Sequence, residues 1–275
     1  MNDVNRRILP GFGLSLGYTT LYMSLLVLIP LSACFLKASS LTFDEFVSAV
    51  WSERAQAAYG LTIGTSCAAA LINLPFGLVI AWVLVRYNFP GSRLFDAIID
   101  LPFALPTAVA GLVYSALYVP KGWLGQYLVP LGIHGAYSRL AIVLVLVFIG
   151  LPFVVRTVQP ILQELEAEIE EAAACLGATR LQTFWRVILP TLLPAIVTGF
   201  ALAFARGLGE YGSVVFVSGN MPYKTEIAPV LIVASLESFH YADAAAIAVL
   251  LMLMSFSMLV VINLLERWTK RHAAY

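Results

Sequence analysis

Charged residues are scarce in this chain. Lys and Arg number 16 and Asp and Glu also number 16, so charged side chains make up 12% of the 275 residues and the net charge is zero. A sparse and balanced charge provides no basic surface for a phosphate backbone, which excludes a nucleic-acid-binding protein. We therefore expect no nucleic acid among its partners.

Cysteine and the common catalytic motifs are also nearly absent. The three cysteines are scattered, so neither a disulfide framework nor a Cys-x-x-Cys metal site is predicted. The sequence contains no His-Glu-x-x-His pair and no Gly-x-x-x-x-Gly-Lys-Ser/Thr phosphate loop. We expect no metal, no cofactor and no catalytic residues. If ATP powers this protein, a partner must hydrolyse it, and the chain itself is not an enzyme.

Apolar residues dominate instead. Hydrophobic residues make up 60% of the chain, and the mean hydropathy of +0.88 exceeds that of ordinary soluble domains. Most of the long apolar stretches reach or approach the ~20 residues that a membrane-spanning helix needs. We predict an all-α, polytopic membrane protein with six transmembrane helices. The six stretches are Leu14–Phe35, Leu61–Val85, Leu101–Val119, Leu140–Val155, Leu192–Val217 and Ala244–Leu265.

The third stretch contains Pro102 and Pro106. Proline removes a backbone donor and kinks or breaks a helix, which a membrane tolerates only where neighbouring protein or water satisfies the freed carbonyls. We therefore place this segment in the interior of the helix bundle.

Lysine and arginine are distributed unequally between the loops. With both termini inside, ten basic residues fall on the cytoplasmic side and five on the outer side, as the positive-inside rule requires. Both termini and the loop at 156–190 are therefore predicted to be cytoplasmic. The ten are Arg6, Arg7, Arg86, Arg93, Arg156, Arg180, Arg186, Arg267, Lys270 and Arg271, and the five are Lys37, Arg54, Lys121, Arg139 and Lys224.

The predicted organisation has three parts. Residues 1–56 comprise an N-terminal tail, the first span and an outer segment, residues 57–265 form the main transmembrane domain, and residues 266–275 form a short basic tail. The outer segment has apolar residues at helical spacing, which predicts an amphipathic helix in the membrane interface. Thr42 precedes this helix as its N-cap, and the apolar residues are Phe43, Phe46, Val47, Val50 and Trp51.

A polar segment interrupts the apolar chain at residues 164–190, and we call it the elbow. Glu164, Glu168 and Glu171 recur at i, i+4 and i+7, so they share one face of a predicted helix. Gly177 is typical of the residue that ends a helix with a positive φ.

A second short helix is expected to begin near Thr179 and to bury Phe184 and Trp185. The elbow is then either a docking surface for a partner or an ordinary solvated loop, and its spacing alone leaves both interpretations open.

The fifth stretch contains Arg206, Gly209, Glu210 and Tyr211. An ionisable residue costs at least ~2.5–3.5 kcal/mol at the bilayer centre, so such residues face a cavity or a partner. Arg206 and Glu210 are four residues apart and can form a structural ion pair. Alternatively, Arg206 supplies a transient positive charge to an anion pathway built with the other three residues. The sequence leaves both interpretations open.

The elbow resembles the EAA loop of ABC-importer permeases, which has Glu-Ala-Ala, a glycine six residues after the glutamate and a later Leu-Pro. It departs from that pattern at Val187, where isoleucine is usual. In that family the loop is a coupling helix that docks in a groove of a cytoplasmic ATPase. The resemblance implies a coupling role here for Glu171, Ala172, Ala173, Gly177, Leu189 and Pro190.

Longer runs, at 105–112, 122–125, 205–214 and 218–229, are similar to the T-type permease subunits of bacterial sulfate/thiosulfate ABC importers. That resemblance implies a location in the bacterial inner membrane and sulfate or thiosulfate as the transported anion. It implies three partners: a dimer of cytoplasmic ATPases, a second permease of the W type and a periplasmic sulfate/thiosulfate-binding protein. The alternatives are a molybdate or tungstate permease and a secondary transporter. Molybdate and W-type sulfate permeases usually have Phe in place of Tyr211, and we do not find the inverted repeats of a secondary transporter.

Overall fold

A computed structural model describes the backbone of residues 12–273 and the side chains of residues 12–264 other than residue 167. Within these residues every regular element is helical. The helices are α1 (Phe12–Ala38), α2 (Phe43–Val50), α3 (Glu53–Arg86), α4 (Ser92–Ile99), α5 (Leu101–Ala104), α6 (Thr107–Tyr118), α7 (Gly125–Leu128), α8 (Arg139–Glu164), α9 (Ala167–Cys175), α10 (Arg180–Leu208), α11 (Val214–Val217), α12 (Ala228–Glu237) and α13 (Tyr241–Ala273).

Among the described residues, five helices are long and apolar enough to cross a membrane. They are α1, α3, α8, α10 and α13, the last counted as far as Leu264. The all-α prediction is confirmed, and the predicted count of six spans is compatible with this set because α5 and α6 together occupy the third apolar stretch. The predicted N-terminal tail at 1–11 lies outside the described residues. Residues 266–273 continue α13, and the domain boundaries stay a prediction.

The third stretch is broken where its prolines predicted. α5 ends at Ala104, Leu105 is extended with φ −81° and ψ 132°, and α6 begins at Thr107 directly after Pro106. Proline biases the preceding residue toward an extended conformation, which accounts for the interruption at Leu105.

The fifth span differs from its predicted bounds of 192–217. α10 begins in the elbow at Arg180 and ends at Leu208, so residues 209–213 are not helical and only the short α11 follows. Gly209 and Gly212 explain this difference, because glycine is a poor helix former and the apolar run alone does not report the end of a helix.

The main core lies where α3, α8 and α10 pack against one another. α8 contributes Val154, Val155, Val158 and Leu162, whose side chains are fully buried. α3 faces them with small residues, and a Cβ added to Gly77 would lie 2.6 Å from Val154 Cγ1. Small residues at helix interfaces let backbones approach closely, which gives van der Waals packing its strength in a membrane.

The amphipathic helix after the first span is confirmed as α2. Thr42 caps it reciprocally, because Thr42 Oγ1 accepts from Glu45 N at 3.4 Å and Glu45 Oε2 accepts from Thr42 N at 2.8 Å. These bonds, the backbone bond above all, hold the pKa of Glu45 below its ordinary value. Val50 packs against α13, whereas Phe43 and Trp51 are exposed. Contact of those two side chains with lipid stays a prediction.

We predict that Gly77→Val destabilises the bundle by about 1–3 kcal/mol, the usual cost of overpacking a core. The added side chain overlaps Val154 and forces α3 and α8 apart. The matched control is Gly64→Val on the same helix, where an added Cβ meets no atom within 4 Å. Thermal unfolding in detergent measures both, and equal shifts in Tm for the two variants would contradict close packing at Gly77.

Candidate functional site

The elbow begins with α9, which is separate from α8. The predicted helix face joining Glu164, Glu168 and Glu171 is wrong, because Glu164 ends α8 and the chain is extended at Leu165 and Glu166. Leu165 is only 8% exposed and packs into the main core. The backbone turns away from the axis of α8 where the side chain of Leu165 is buried. The spacing of the glutamates in the sequence does not show that the helix is interrupted there.

Gly177 ends α9 as predicted. Its φ is +82°, Gly177 N donates to Ala174 O at 2.9 Å, and Ala178 N donates to Ala173 O at 3.0 Å. This pair of bonds is the Schellman motif, which needs a left-handed residue at the glycine position. An added Cβ would meet no atom within 4 Å, so the requirement for glycine here is conformational and not steric.

The second helix of the elbow also begins as predicted. Thr179 caps α10, because Gln182 N donates to Thr179 Oγ1 at 3.3 Å and Thr179 N donates to Gln182 Oε1 at 2.8 Å. Phe184 is half-buried, but the predicted burial of Trp185 is wrong, since this side chain is 59% exposed. A π-helical turn covers Phe184–Ile188 and changes the angular spacing of side chains from that of an α-helix.

The outer surface of the elbow is accessible and mixed in character. Glu171 and Ala172 are exposed, Ala173 is half-buried, and the apolar side chains of Leu176 and Leu181 are 89% and 68% exposed. Leu189 and Pro190 follow the π-helical turn and continue into the membrane part of α10 without a break. One helix therefore joins the exposed elbow to the segment that contains Arg206.

Arg206 and Glu210 do form an ion pair, between Nη1 and Oε2. Arg206 lies in the last turn of α10 with one-third of its side chain exposed, and Glu210 lies just beyond the helix with 2% exposed. Glu210 Oε1 also accepts hydrogen bonds from Ser213 N and Ser213 Oγ, both at 2.8 Å. The carboxylate thus fixes the turn that leads into α11.

The two interrupted helices meet at this turn. An added Cβ on Gly111 of α6 would overlap Ser213 O, and one on Gly212 would overlap Thr107 Oγ1. Ser115 Oγ donates to Phe216 O at 2.7 Å. The third stretch was predicted to lie in the bundle interior, but Phe103 and Leu112 are 55% and 52% exposed on this chain. The sequence also did not pair this stretch with residues 209–217, because Ser115 and Phe216 are 101 residues apart and no local pattern links them.

A second ordered loop lies at the opposite end of the bundle from the elbow, where α3 begins. Arg54 donates to both carboxylate oxygens of Glu226, at 2.7 and 2.6 Å, and Glu226 is 4% exposed. Arg139 Nε donates to Lys224 O at 2.9 Å, and Ala228 N donates to Thr62 Oγ1 at 2.8 Å. Sequence reasoning assigned Arg54 to an outer loop and missed these partners.

Among the described residues, no group of three or more His, Cys, Asp or Glu side chains is placed to hold a metal ion. Tyr211 is half-buried and packs beside Val214 and Val217, and Gly209 has open space around its Cα. The four residues of the predicted anion pathway therefore lie together at the end of α10, with Arg206 and Glu210 neutralising each other.

This fold, a bundle of apolar helices with an exposed helical elbow and two facing helix breaks, is that of a membrane permease. The model of the family described as "Binding-protein-dependent transport system inner membrane component" matches residues 73–271, and the chain belongs to this family. Among curated relatives it is similar to the "Sulfate transport system permease protein CysT" of Synechococcus elongatus, 52% identical over 93% of this chain and 92% of that protein. The protein of the same name from Escherichia coli is 45% identical over 95% of each chain.

Solved structures share the fold at low identity. A bacterial alginate ABC transporter, in complex with an alginate pentasaccharide-bound periplasmic protein, has a chain that is 19% identical to this one with a TM-score of 0.77. The alignment covers 93% of this chain and 94% of that one. A chain of the MetNI methionine ABC transporter has a TM-score of 0.58 at 17% identity, over 82% of this chain and 95% of that one.

We predict that Glu210→Ala destabilises the protein by about 3–5 kcal/mol, the usual cost of removing one partner of a buried ion pair. The change leaves Ser213 N without its acceptor and the Arg206 guanidinium without its counter-charge. Glu210→Gln should cost less, because the amide oxygen still accepts from Ser213. Glu237→Ala, at an exposed helix end, is the control. Thermal unfolding in detergent ranks the three variants, and a Glu210→Ala variant as stable as the control would refute the stabilising role of Glu210.

Proposed function

We propose that this chain is a permease subunit of an ATP-driven importer that moves sulfate or thiosulfate across the bacterial inner membrane. The observation that carries the proposal is similarity over nearly the whole chain, 45–52% identical over at least 93% of its length, to relatives named as sulfate permeases. Membership of a family of binding-protein-dependent inner membrane components supports it.

The partner at the elbow is a dimer of cytoplasmic ATPases. The chain has no phosphate loop of its own, so the energy has to enter through a contact surface. Three features suit that role: an accessible Glu171, an ordered Schellman turn at Gly177 and exposed leucines beside them. The elbow end of the bundle is then cytoplasmic, with both termini on that side, as the distribution of Lys and Arg indicates.

Two further partners complete the importer. A second permease of the W type supplies the other half of the pathway, and a periplasmic binding protein delivers sulfate or thiosulfate at the end where Arg54 and Glu226 fix the loop. Closure of the ATPase dimer moves the elbow, and the two permeases rotate to open the pathway outward. This is alternating access by rigid-body motion.

Arg206, Gly209, Glu210 and Tyr211 form one side of the anion pathway in this proposal. Arg206 lies in a spanning helix with one-third of its side chain exposed, and this exposed part is available to a passing anion. Its pairing with Glu210 offsets the positive charge and keeps the interaction weak, because a site that held sulfate tightly would not release it.

We expect Glu171→Lys and Gly177→Val to uncouple ATP hydrolysis from sulfate uptake while the chain still inserts and assembles. The first reverses an exposed charge at the proposed ATPase contact, and the second strains a residue held at φ +82°. Glu237→Lys, a charge reversal at an exposed position outside the elbow, is the control. Assays in reconstituted vesicles measure the number of ATP molecules hydrolysed per sulfate taken up. Normal uptake by both variants would overturn the proposed role of the elbow.

Arg206→Ala tests the pathway separately. Glu210 keeps its two hydrogen bonds from Ser213 in this variant, so we expect assembly to be retained and sulfate uptake to fall at least tenfold, a loss of about 1.4 kcal/mol in stabilisation of the moving anion. Failure to assemble would instead favour a purely structural ion pair. Competition by thiosulfate, molybdate and tungstate in the same vesicles identifies the substrate, and preferential uptake of molybdate or tungstate would replace sulfate in the proposal.

A further inference from the structure

The elbow contacts the bundle at Glu170, one residue before the Glu-Ala-Ala pattern begins. Arg86, the last residue of α3, donates from Nη2 to Glu170 Oε1 of α9 at 2.6 Å. The same guanidinium lies over the ring of Trp82, 5.6 Å from its centroid. Both charged side chains are largely enclosed, at 22% and 34% exposed. Partial burial strengthens such a pair relative to one on an open surface.

The second half of the elbow contacts the same end of α3. The ring of Trp82 meets that of Phe184 edge to face, with centroids 6.0 Å apart. Phe184 begins the π-helical turn of α10. α3 therefore holds α9 through an ion pair and α10 through an aromatic contact, on the two sides of the Gly177 turn.

Two adjacent glutamates on α9 face in different directions. Glu170 faces α3 and forms the ion pair with Arg86, whereas Glu171 is exposed and forms none of the ion pairs among the described residues. Successive residues of an α-helix are about 100° apart around its axis, so one helix can present one carboxylate inward and the next outward.

α3 joins this contact to the far end of the molecule. It has 34 residues, which is about 50 Å of helix, and an ion pair anchors it near each end. Arg86 binds Glu170 of the elbow, and Arg54 binds Glu226 of the loop at the opposite end. Between the two, α3 packs along α8 and α10 in the main core.

We propose that Arg86 is a positioning residue for coupling: through Glu170 it makes α3 a second transmission element, so that elbow motion reaches the far loop as well as α10. This inference rests on the proposed function of the elbow. The buried side chain of Leu165 and the hydrogen-bonded turn at Gly177 hold the two ends of α9. The Arg86–Glu170 pair adds a direct ion pair between α9 and the end of α3.

The test uses the complete importer in vesicles, with its ATPase and binding protein, and measures ATP hydrolysed per sulfate taken up. We expect Arg86→Gln and Glu170→Gln each to raise this ratio at least threefold. The double variant should be no worse than either single change, because residues that act as a pair are not additive. Arg86→Lys keeps the charge and should recover most of the coupling. Arg93→Gln, which removes an exposed arginine from α4, is the control and should leave the ratio unchanged.

Unchanged ratios in both single variants, or effects that multiply in the double variant, would overturn the inference while the importer itself still works. Loss of ATP-dependent sulfate uptake in the wild-type vesicles would instead defeat the proposed function. A lower Tm with an unchanged ratio would make the pair merely structural and would also overturn the inference.

A distance measurement tests whether α9 moves together with α3, and it does not depend on assembly of the charge variants. Spin labels replace Tyr87, 58% exposed just after α3, and the exposed Glu168 on α9. In the otherwise wild-type complex we expect their separation to stay constant, within about 1.5 Å or one helical residue, when ATP binds. A larger change would show that α9 moves independently of α3 and would overturn the inference.

Discussion

Close packing of α3, α8 and α10 is the constraint on which the rest of the structure depends. Apolar side chains gain nothing by leaving lipid for a protein interior, so a membrane bundle is held by van der Waals contact between backbones that approach closely. Gly77 permits that approach at Val154, and the buried valines of α8 fill the interface. The elbow connects α8 to the membrane part of α10, so the packing of these two helices also restricts the position of the elbow.

The same core allows the membrane part to contain broken helices. Unpaired backbone groups are tolerated at membrane depth only where protein encloses them. The turn at 209–213 lies against α6, because an added Cβ on Gly212 would overlap Thr107 Oγ1, and Ser115 donates to Phe216 O just beyond this turn. Glu210 supplies acceptors for Ser213 inside this contact. The two interrupted segments are thus joined by direct contacts.

Three of the five ion pairs among the described residues lie at the ends of long helices, and Arg156 within α8 forms the other two, with Asp96 and Asp100. Arg86 and Arg54 lie near the two ends of α3, and Arg206 lies at the end of α10. Each has a carboxylate partner on a different element or beyond its own helix. An ion pair fixes orientation as well as distance because its hydrogen bonds are directional. The three ion pairs at helix ends therefore help to fix how α3 and α10 connect to the segments beyond them.

The sequence by itself determined the all-α membrane class, the break at Pro106, the cap at Thr42 and the turn at Gly177. Each of these depends on hydropathy or on the conformational preference of a few neighbouring residues. Tertiary structure alone decided that α8 ends at Glu164 and that Arg86 and Arg54 bind glutamates 84 and 172 residues away. Burial and pairing depend on which distant segments the fold brings together, and helical spacing contains no information about them.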